Sequence, residues 1–325
     1  MKRREFVLGA VAASFPFAAR AQQPSMPTVG FLGAPSAGTY GRYVAAIHQG
    51  LKEAGFVEGQ NVRFEYRWAE GHYERLPALA AELVSRKISV IVPIGGAPST
   101  VAAKAATSSI PIVFTMLADP LELGLVASFN RPGGNLTGIA TMGVELEVKR
   151  LELLREAVPT AMLIAMLVNP GNAHADVQVR EVQKTVQAIG QQIVILRAGT
   201  ESELEAAFAS MVKEGAGALL VGADTFFTSK PSLFVLLTVR HSLPAIYPWR
   251  SHVDAGGLMS YGANLLESYR QAGAYAGKIL GGAKPADLPI LEPTTFELVI
   301  NLQSAKAIGL TIPASLRARA DEVIE

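Results

Sequence analysis

Val90–Thr100, VIVPIGGAPST, is the stretch on which the fold turns. A short run rich in β-branched residues reads as a strand over Val90–Ile94. Gly95-Gly96 permits a sharp turn, and Pro98 suits the first turn of a helix. A strand leading directly into a helix is half of a parallel βαβ unit. The same rhythm extends outward on both sides. Strands are predicted at Val29–Gly33, Val62–Tyr66, Ile112–Thr115 and Leu136–Ala140. Between them Tyr43, Ile47 and Leu51 recur at helical spacing, as do Leu76, Leu79, Leu83 and Val84. This first unit reads as a doubly wound α/β half.

The rhythm then restarts. A helix over Leu146–Glu156 leads through Pro159 into a strand at Leu163–Val168, and a long helix runs to Ile189. A strand near Ile193–Leu196, a helix over Glu203–Lys213 and strands at Ala218–Val221, Ala245–Tyr247 and Leu258–Ser260 complete a second unit. Leu265–Leu280 is a further helix and Phe296–Asn301 a late strand. With no partners of their own nearby, these must return to sheets built earlier, which requires several crossings between two lobes. Thr141–Gly143 and Tyr261–Asn264, each containing glycine and each just after a strand, are the candidate hinges.

Upstream, residues 1–21, MKRREFVLGAVAASFPFAARA, have a positive start, a short apolar run broken by Pro16 and a small-x-small site at Ala19-Arg20-Ala21. That is the pattern of a cleaved export signal, too short to span a bilayer. Arg3-Arg4 fits either a twin-arginine or an ordinary secretion signal. The whole chain carries 29 basic and 28 acidic side chains; the leader takes four bases and one acid, leaving 25 and 27 in the 304 residues that follow. A balance of −2 argues against nucleic acid or anionic membrane as a partner. Half of the chain is hydrophobic and 18% charged, enough for two cores. There is no cysteine, which excludes disulfides, a thiol nucleophile and a lipid-modified cysteine after the signal. A freely diffusing, monomeric periplasmic protein is expected.

In open α/β sheets ligands bind at the carboxyl ends of strands, often against helix N-termini. That rule selects Ala34 and Ser36 after the first strand, and Gly96, Ala97, Ser99 and Thr100 after the third, where N–H groups and hydroxyls suit a carboxylate. A plain turn with a helix cap is the alternative there. Thr115 ends the fourth strand. In the second unit the corresponding positions are Asn169, Asp224, Tyr247 and Trp249, with Tyr261 at a hinge. Asp224 suits an ammonium group, or alternatively an ordinary helix N-cap. Tyr40, Trp68, Tyr247 and Trp249 are candidate aromatic walls. The five histidines lack metal-ligand spacing and read as surface or cap residues, so neither metal nor cofactor is expected. No nucleophile elbow or phosphate loop occurs. Arg131–Gly138, RPGGNLTG, reads as a turn that ends a helix and enters a strand.

EAGFVEGQNVRFEYRWAEG (Glu53–Gly71), RLPALAAELV (Arg75–Val84), IPIVF (Ile110–Phe114), DPLELGLVASFNRPGGNLTG (Asp119–Gly138), KRLELL (Lys149–Leu154), GGLMSYG (Gly256–Gly262) and FELVINLQSAKAIGLTIP (Phe296–Pro313) resemble ABC-transporter substrate-binding proteins related to streptococcal tryptophan-uptake binding proteins. The resemblance implies a type I periplasmic binding protein fold: two Rossmann-like doubly wound lobes joined by a three-segment hinge. The lobes are expected at 28–142 plus 262–285 and 143–261 plus 286–325. It also implies a small organic solute, in some relatives an aromatic amino acid, handed to an inner-membrane ABC permease. The shared blocks are mostly structural. The loops expected to touch ligand, Gly95–Ser99 and Thr225–Lys230, vary in the family. A sensory subunit of the same fold and an exported enzyme using Asp224 or Glu145 are the competing readings.

Overall fold

A computed structural model describes residues 26–141 and 143–325, without the side chains of 143–145. The expected leader, Met142 of the first hinge and the side chain of Glu145 lie outside the described residues. The first sheet contains β1 (Thr28–Gly33), β2 (Arg63–Trp68), β3 (Val90–Ile94), β4 (Ile112–Met116) and β5 (Leu136–Ala140). They are all parallel, in the order β2-β1-β3-β4-β5. Helices α1 (Ala37–Glu53), α2 (Leu76–Ser85) and α3 (Ala97–Ala106) provide the crossovers. β4 and β5 are joined differently. Residues 117–135 contain turns but no helix, so the expectation that RPGGNLTG ends a helix is corrected. Leu123, Leu125, Val126 and Phe129 of this loop pack on the core and do the covering work of a helix.

The second sheet contains β6 (Leu163–Val168), β7 (Gln192–Arg197), β8 (Ala218–Val221), β9 (Ala245–Tyr247), β10 (Met259–Ala263), β11 (Phe296–Asn301) and β12 (Glu322–Ile324), in the order β12-β11-β10-β9-β8-β6-β7. Only the β10–β11 pair is antiparallel. Its helices are α4 (Gly143–Ala157), α5 (Ala175–Ile189), α6 (Glu201–Glu214), α7 (Thr225–Thr228), α8 (Pro231–Arg240) and α9 (Arg250–Asp254); α10 (Leu265–Leu280), α11 (Leu302–Ala307) and α12 (Ala314–Arg319) follow. Thr225–Lys230, expected as a loop, begins with the single turn of α7. A one-turn helix shows no apolar periodicity to detect.

Each sheet is covered on both faces. Alternation sends Val29 and Phe31 of β1 toward α1 and α10, and Leu32 toward α2 and α3. On α1, Tyr40, Tyr43, Ile47 and Leu51 form one buried stripe. In the second lobe the face carrying Met166 and Leu220 packs against α4 and α5, and that carrying Leu167 and Leu219 against α6 and α8. α6 starts on a capping box, with Glu203 N–H donating to Thr200 Oγ1 at 3.2 Å, and stops at left-handed Gly215.

Helix α10 follows a strand of the second sheet yet packs on α1 and on β3, β4 and β5 of the first. The contact with α1 is backbone to backbone: a Cβ at Gly273 would lie 2.1 Å from the Ile47 carbonyl oxygen, and one at Gly50 1.9 Å from that of Arg270. The crossings are displaced from the expected divisions at 262 and 286. Gly262 and Ala263 pair with Glu297 and Phe296 in the second sheet, and Asn264 caps α10. Leu288–Leu291 lies along β5 of the first sheet: Leu291 N–H donates to Gly138 O at 3.0 Å, and Thr137 Oγ1 donates to Leu288 O at 2.8 Å. Free backbone groups at the β5 edge draw in the returning chain. Among the described residues no helix is long and apolar enough to cross a membrane.

Candidate functional site

The carboxyl ends of both sheets face each other across a partly open cavity. The N-terminal lobe contributes the β3–α3 turn, the residues that end β4, and Tyr40 and Tyr269 from the two contacting helices; the C-terminal lobe contributes Asn172, His174, Asp224 and Trp249.

At the β3–α3 turn, Gly95 and Gly96 have φ of +98° and +75°. Gly95 is further constrained by the other lobe, since a Cβ there would sit 2.9 Å from Thr225 Cγ2. Its N–H donates to the Tyr269 hydroxyl at 3.1 Å, and its carbonyl accepts from Thr225 Oγ1 at 2.5 Å. The turn thus aims the start of α3 into the cavity. N–H groups in a helix's first turn have no intrahelical acceptor, and the helix dipole favours an anion there.

Asp224 faces this turn from the second lobe. The N-cap alternative holds, with Asp224 capping α7 by accepting from Phe226 N–H at 2.8 Å, and the carboxylate also lines the cavity. Asn169 Nδ2 donates to it at 2.9 Å and Asn172 Nδ2 at 3.0 Å. The Tyr73 hydroxyl, from the other lobe, donates at 3.1 Å to Oδ2 and 3.2 Å to Oδ1. Burial raises the Asp224 carboxyl above its ordinary range, against these stabilising bonds. Oδ1 receives three donors and Oδ2 two, the single Tyr73 proton being shared between them. Tyr73 and Thr225 are thus the polar ties that hold the lobes together beside the cavity.

Of the positions expected from sequence, Tyr40, Gly96, Ala97, Thr115, Asp224 and Trp249 line the cavity. The others do not, each for a visible reason. Ser99 Oγ donates to Ile94 O, the end of β3, at 2.6 Å and Thr100 Oγ1 to Gly96 O, the N-cap of α3, at 2.9 Å, so both hydroxyls are spent on the turn's own backbone. Ala34 is wholly buried beneath the turn, and Ser36 bonds Thr39 on the surface. Asn169 acts behind Asp224. Tyr247 is fully buried, stacked on His252 with centroids 4.5 Å apart, and Trp68 stacks on Tyr66, so neither is a cavity wall. Tyr261 is held through its carbonyl by Arg150 Nη1 at 3.2 Å.

The strand end Asn169–Asn172 was among the loops that the rule selects, and its Asn172 lines the cavity. Sequence reasoning missed Tyr73, His174 and Tyr269. His174 follows that same strand end, so a signal existed. Tyr73 and Tyr269 carried none, being remote in the chain from the groups they bond. Of the histidines expected at surfaces or caps, His72, His174 and His241 stand at helix ends, whereas burial is the correction: His252 is fully buried and His174 nearly so, and burial lowers both to about 4. Below the cleft, α4 buries Glu147 and Arg150 as a pair at 3.5 Å. Burial pushes Glu147 up to about 7 and Arg150 down to about 10.

Two mainly parallel-stranded α/β lobes, crossed between repeatedly and enclosing a cavity at their facing strand ends, define a solute-binding protein of the type I periplasmic fold. The chain belongs to the ABC transporter substrate binding protein family, whose sequence profile matches residues 37–324. It is 28% identical over 261 residues to the tyrosine-binding protein of Clostridioides difficile (strain R20291), covering 80% of this chain and 74% of that one. A conserved domain protein of Vibrio cholerae superposes with a TM-score of 0.85 at 26% identity, over 92% of this chain and 99% of the other. The ABC domain in complex with L-Trp from Streptococcus pneumoniae superposes with a TM-score of 0.83 at 25% identity, over 92% and 100%.

Proposed function

We propose that this protein captures a zwitterionic amino acid with a largely apolar or aromatic side chain and delivers it to an ABC permease. The observation that carries this reading is the charge layout of the cavity. An anion-favouring helix start lies on one lobe and a buried carboxylate, Asp224, on the other, and no lysine or arginine lines the wall among the described residues. Such a wall matches one carboxylate and one ammonium. Dicarboxylates and phosphorylated solutes would bring negative charge that nothing in it neutralises. Tyr40, Trp249 and Tyr269 supply aromatic surface for the side chain. The ligands named for the two relatives, tyrosine and tryptophan, fit this layout.

Residues 1–21 would direct export and be cleaved near Ala21, leaving a free monomer in the periplasm. The lobes, joined by three segments, would close on the solute and present one closed surface to the permease. Calorimetric titration of the chain from residue 22 with the common L-amino acids tests the reading. Binding is expected for a subset with apolar or aromatic side chains, accompanied by a rise in melting temperature through mass action. Folded protein that binds none of them, or that prefers dicarboxylates, overturns it.

A further inference from the structure

Most polar groups on the cavity wall are already engaged within the protein. Thr141 Oγ1 donates to Met116 O at 3.2 Å, Thr228 Oγ1 to Asp224 O at 2.8 Å and Thr225 Oγ1 to Gly95 O, while the Tyr269 hydroxyl accepts from Gly95 N–H. His174 differs. It is 2% exposed, lines the cavity, and among the described residues neither Nδ1 nor Nε2 has a partner. Its backbone is fixed at the start of α5: its N–H donates to Asn172 Oδ1 at 3.0 Å and its carbonyl accepts from Gln178 N–H at 3.1 Å. On the facing lobe the buried Thr115 hydroxyl, also on the wall, is likewise unpartnered among the described residues. Buried polar groups without partners are rare in folded proteins, because desolvation is then uncompensated.

The protonation state of His174 defines what can satisfy it. Asp119 raises and Arg180 lowers its affinity for a proton, and burial, the largest effect, takes the imidazole down to about 4. At neutral pH the ring therefore has one donor and one acceptor nitrogen. An ammonium or a carboxylate already has its place at Asp224 or at the α3 turn. A hydroxyl can either donate or accept, so it suits either nitrogen, and the Thr115 hydroxyl can rotate to complete the pairing. A hydrocarbon side chain leaves these groups unpaired.

We propose that His174 is the specificity-determining residue of the cavity and selects amino acids whose side chain bears a hydroxyl, tyrosine over phenylalanine. This inference rests on the amino-acid reading above. A site that bonds a ligand hydroxyl rejects the analogue lacking it far more strongly than a hydrophobic pocket rejects a missing methylene.

The test is calorimetric titration of the chain from residue 22, as wild type, His174→Phe and His174→Gln, with L-tyrosine and L-phenylalanine. Wild type is expected to bind tyrosine at least ~10-fold more tightly. His174→Phe should bring the two within about twofold by weakening tyrosine, and His174→Gln, which keeps a donor and an acceptor, should recover part of the preference. Melting of each empty variant verifies folding. Should His174→Phe fail to fold, the wild-type preference and its change in His174→Gln decide the question. Equal binding of the two ligands by wild type, or a preference unchanged in the variants, overturns this inference while the amino-acid reading stands. Failure of folded wild type to bind any amino acid overturns both.

Discussion

At Asp224 a single carboxylate holds an N-cap, two asparagine amides and a tyrosine hydroxyl from the opposite lobe. Its removal therefore has two consequences. Asp224→Ala should abolish ligand binding and also destabilise the empty protein by about 1–3 kcal/mol, because the Asn169 and Asn172 amides lose their acceptor in a buried setting. An unchanged melting temperature would show that these bonds are replaced. Ser99→Ala is expected to behave differently despite Ser99's similar appeal in the sequence. Its hydroxyl is spent on Ile94 O, so solute affinity should stay within about twofold while stability falls by about 1 kcal/mol. Tyr73→Phe removes the hydroxyl that joins the lobes. We expect weaker binding and a more expanded ligand-free protein in small-angle scattering, with little change in melting temperature; a scattering profile identical to wild type would contradict the role of this contact in closure.

At the scale of elements, the strands were legible because continuous β-branched runs bounded by glycine or proline mark buried strands. β3, β5, β6, β8, β9 and β11 have the bounds that the sequence suggests, and β1, β2, β4, β7 and β10 differ by one to three residues at one or both ends. The short elements α7 and α9 and strand β12 were not legible, since three to five residues hold too little periodicity to read. The contact of α1 with α10 was also hidden. Glycines at Gly50 and Gly273 are unremarkable in a helix pattern until the two backbones are seen to touch. Gly273→Ala, elsewhere a helix-stabilising change, should here cost about 1–3 kcal/mol or more by forcing the helices apart. Equilibrium denaturation measures this, and a stabilised variant would show that the helices are not in contact. At the β3–α3 turn, Gly95→Ala should weaken solute binding, because the new methyl meets Thr225 before the lobes have closed.

For the whole molecule, burial of ionisable groups sets the response to acid. Above about 6.5, His174 and His252 are neutral whether the chain is folded or not. Between 6.5 and about 4 the unfolded chain takes up protons that the folded one cannot, so stability falls as pH falls, by up to ~3 kcal/mol per histidine. Glu147 acts in the opposite sense. Its folded carboxyl holds a proton up to about 7, so the stability it contributes is present below 4.5 and lost as pH rises through 7. Melting temperature followed from pH 7 to 4 should decline less steeply in His252→Phe than in wild type. Equal slopes would mean that His252 titrates normally in the folded protein.

The sequence by itself determined the α/β class, the two tandem units, the return of a late helix and strand to earlier sheets, and the loops in which a ligand would sit. All of these follow from local patterns: apolar periodicity, and glycine and proline at strand ends. It also placed Asp224 and the Gly95–Pro98 turn among the candidates, because strand ends in such sheets converge. Only the tertiary structure decided which candidates share the cavity, turning Ser99, Thr100, Tyr247 and Tyr261 away, bringing in His174 and Tyr269, and setting Tyr73 against Asp224. The reason is physical. A hydroxyl or carbonyl bonds whatever the fold places beside it, and for Tyr73 and Asp224 that neighbour is 151 residues away and on the other lobe.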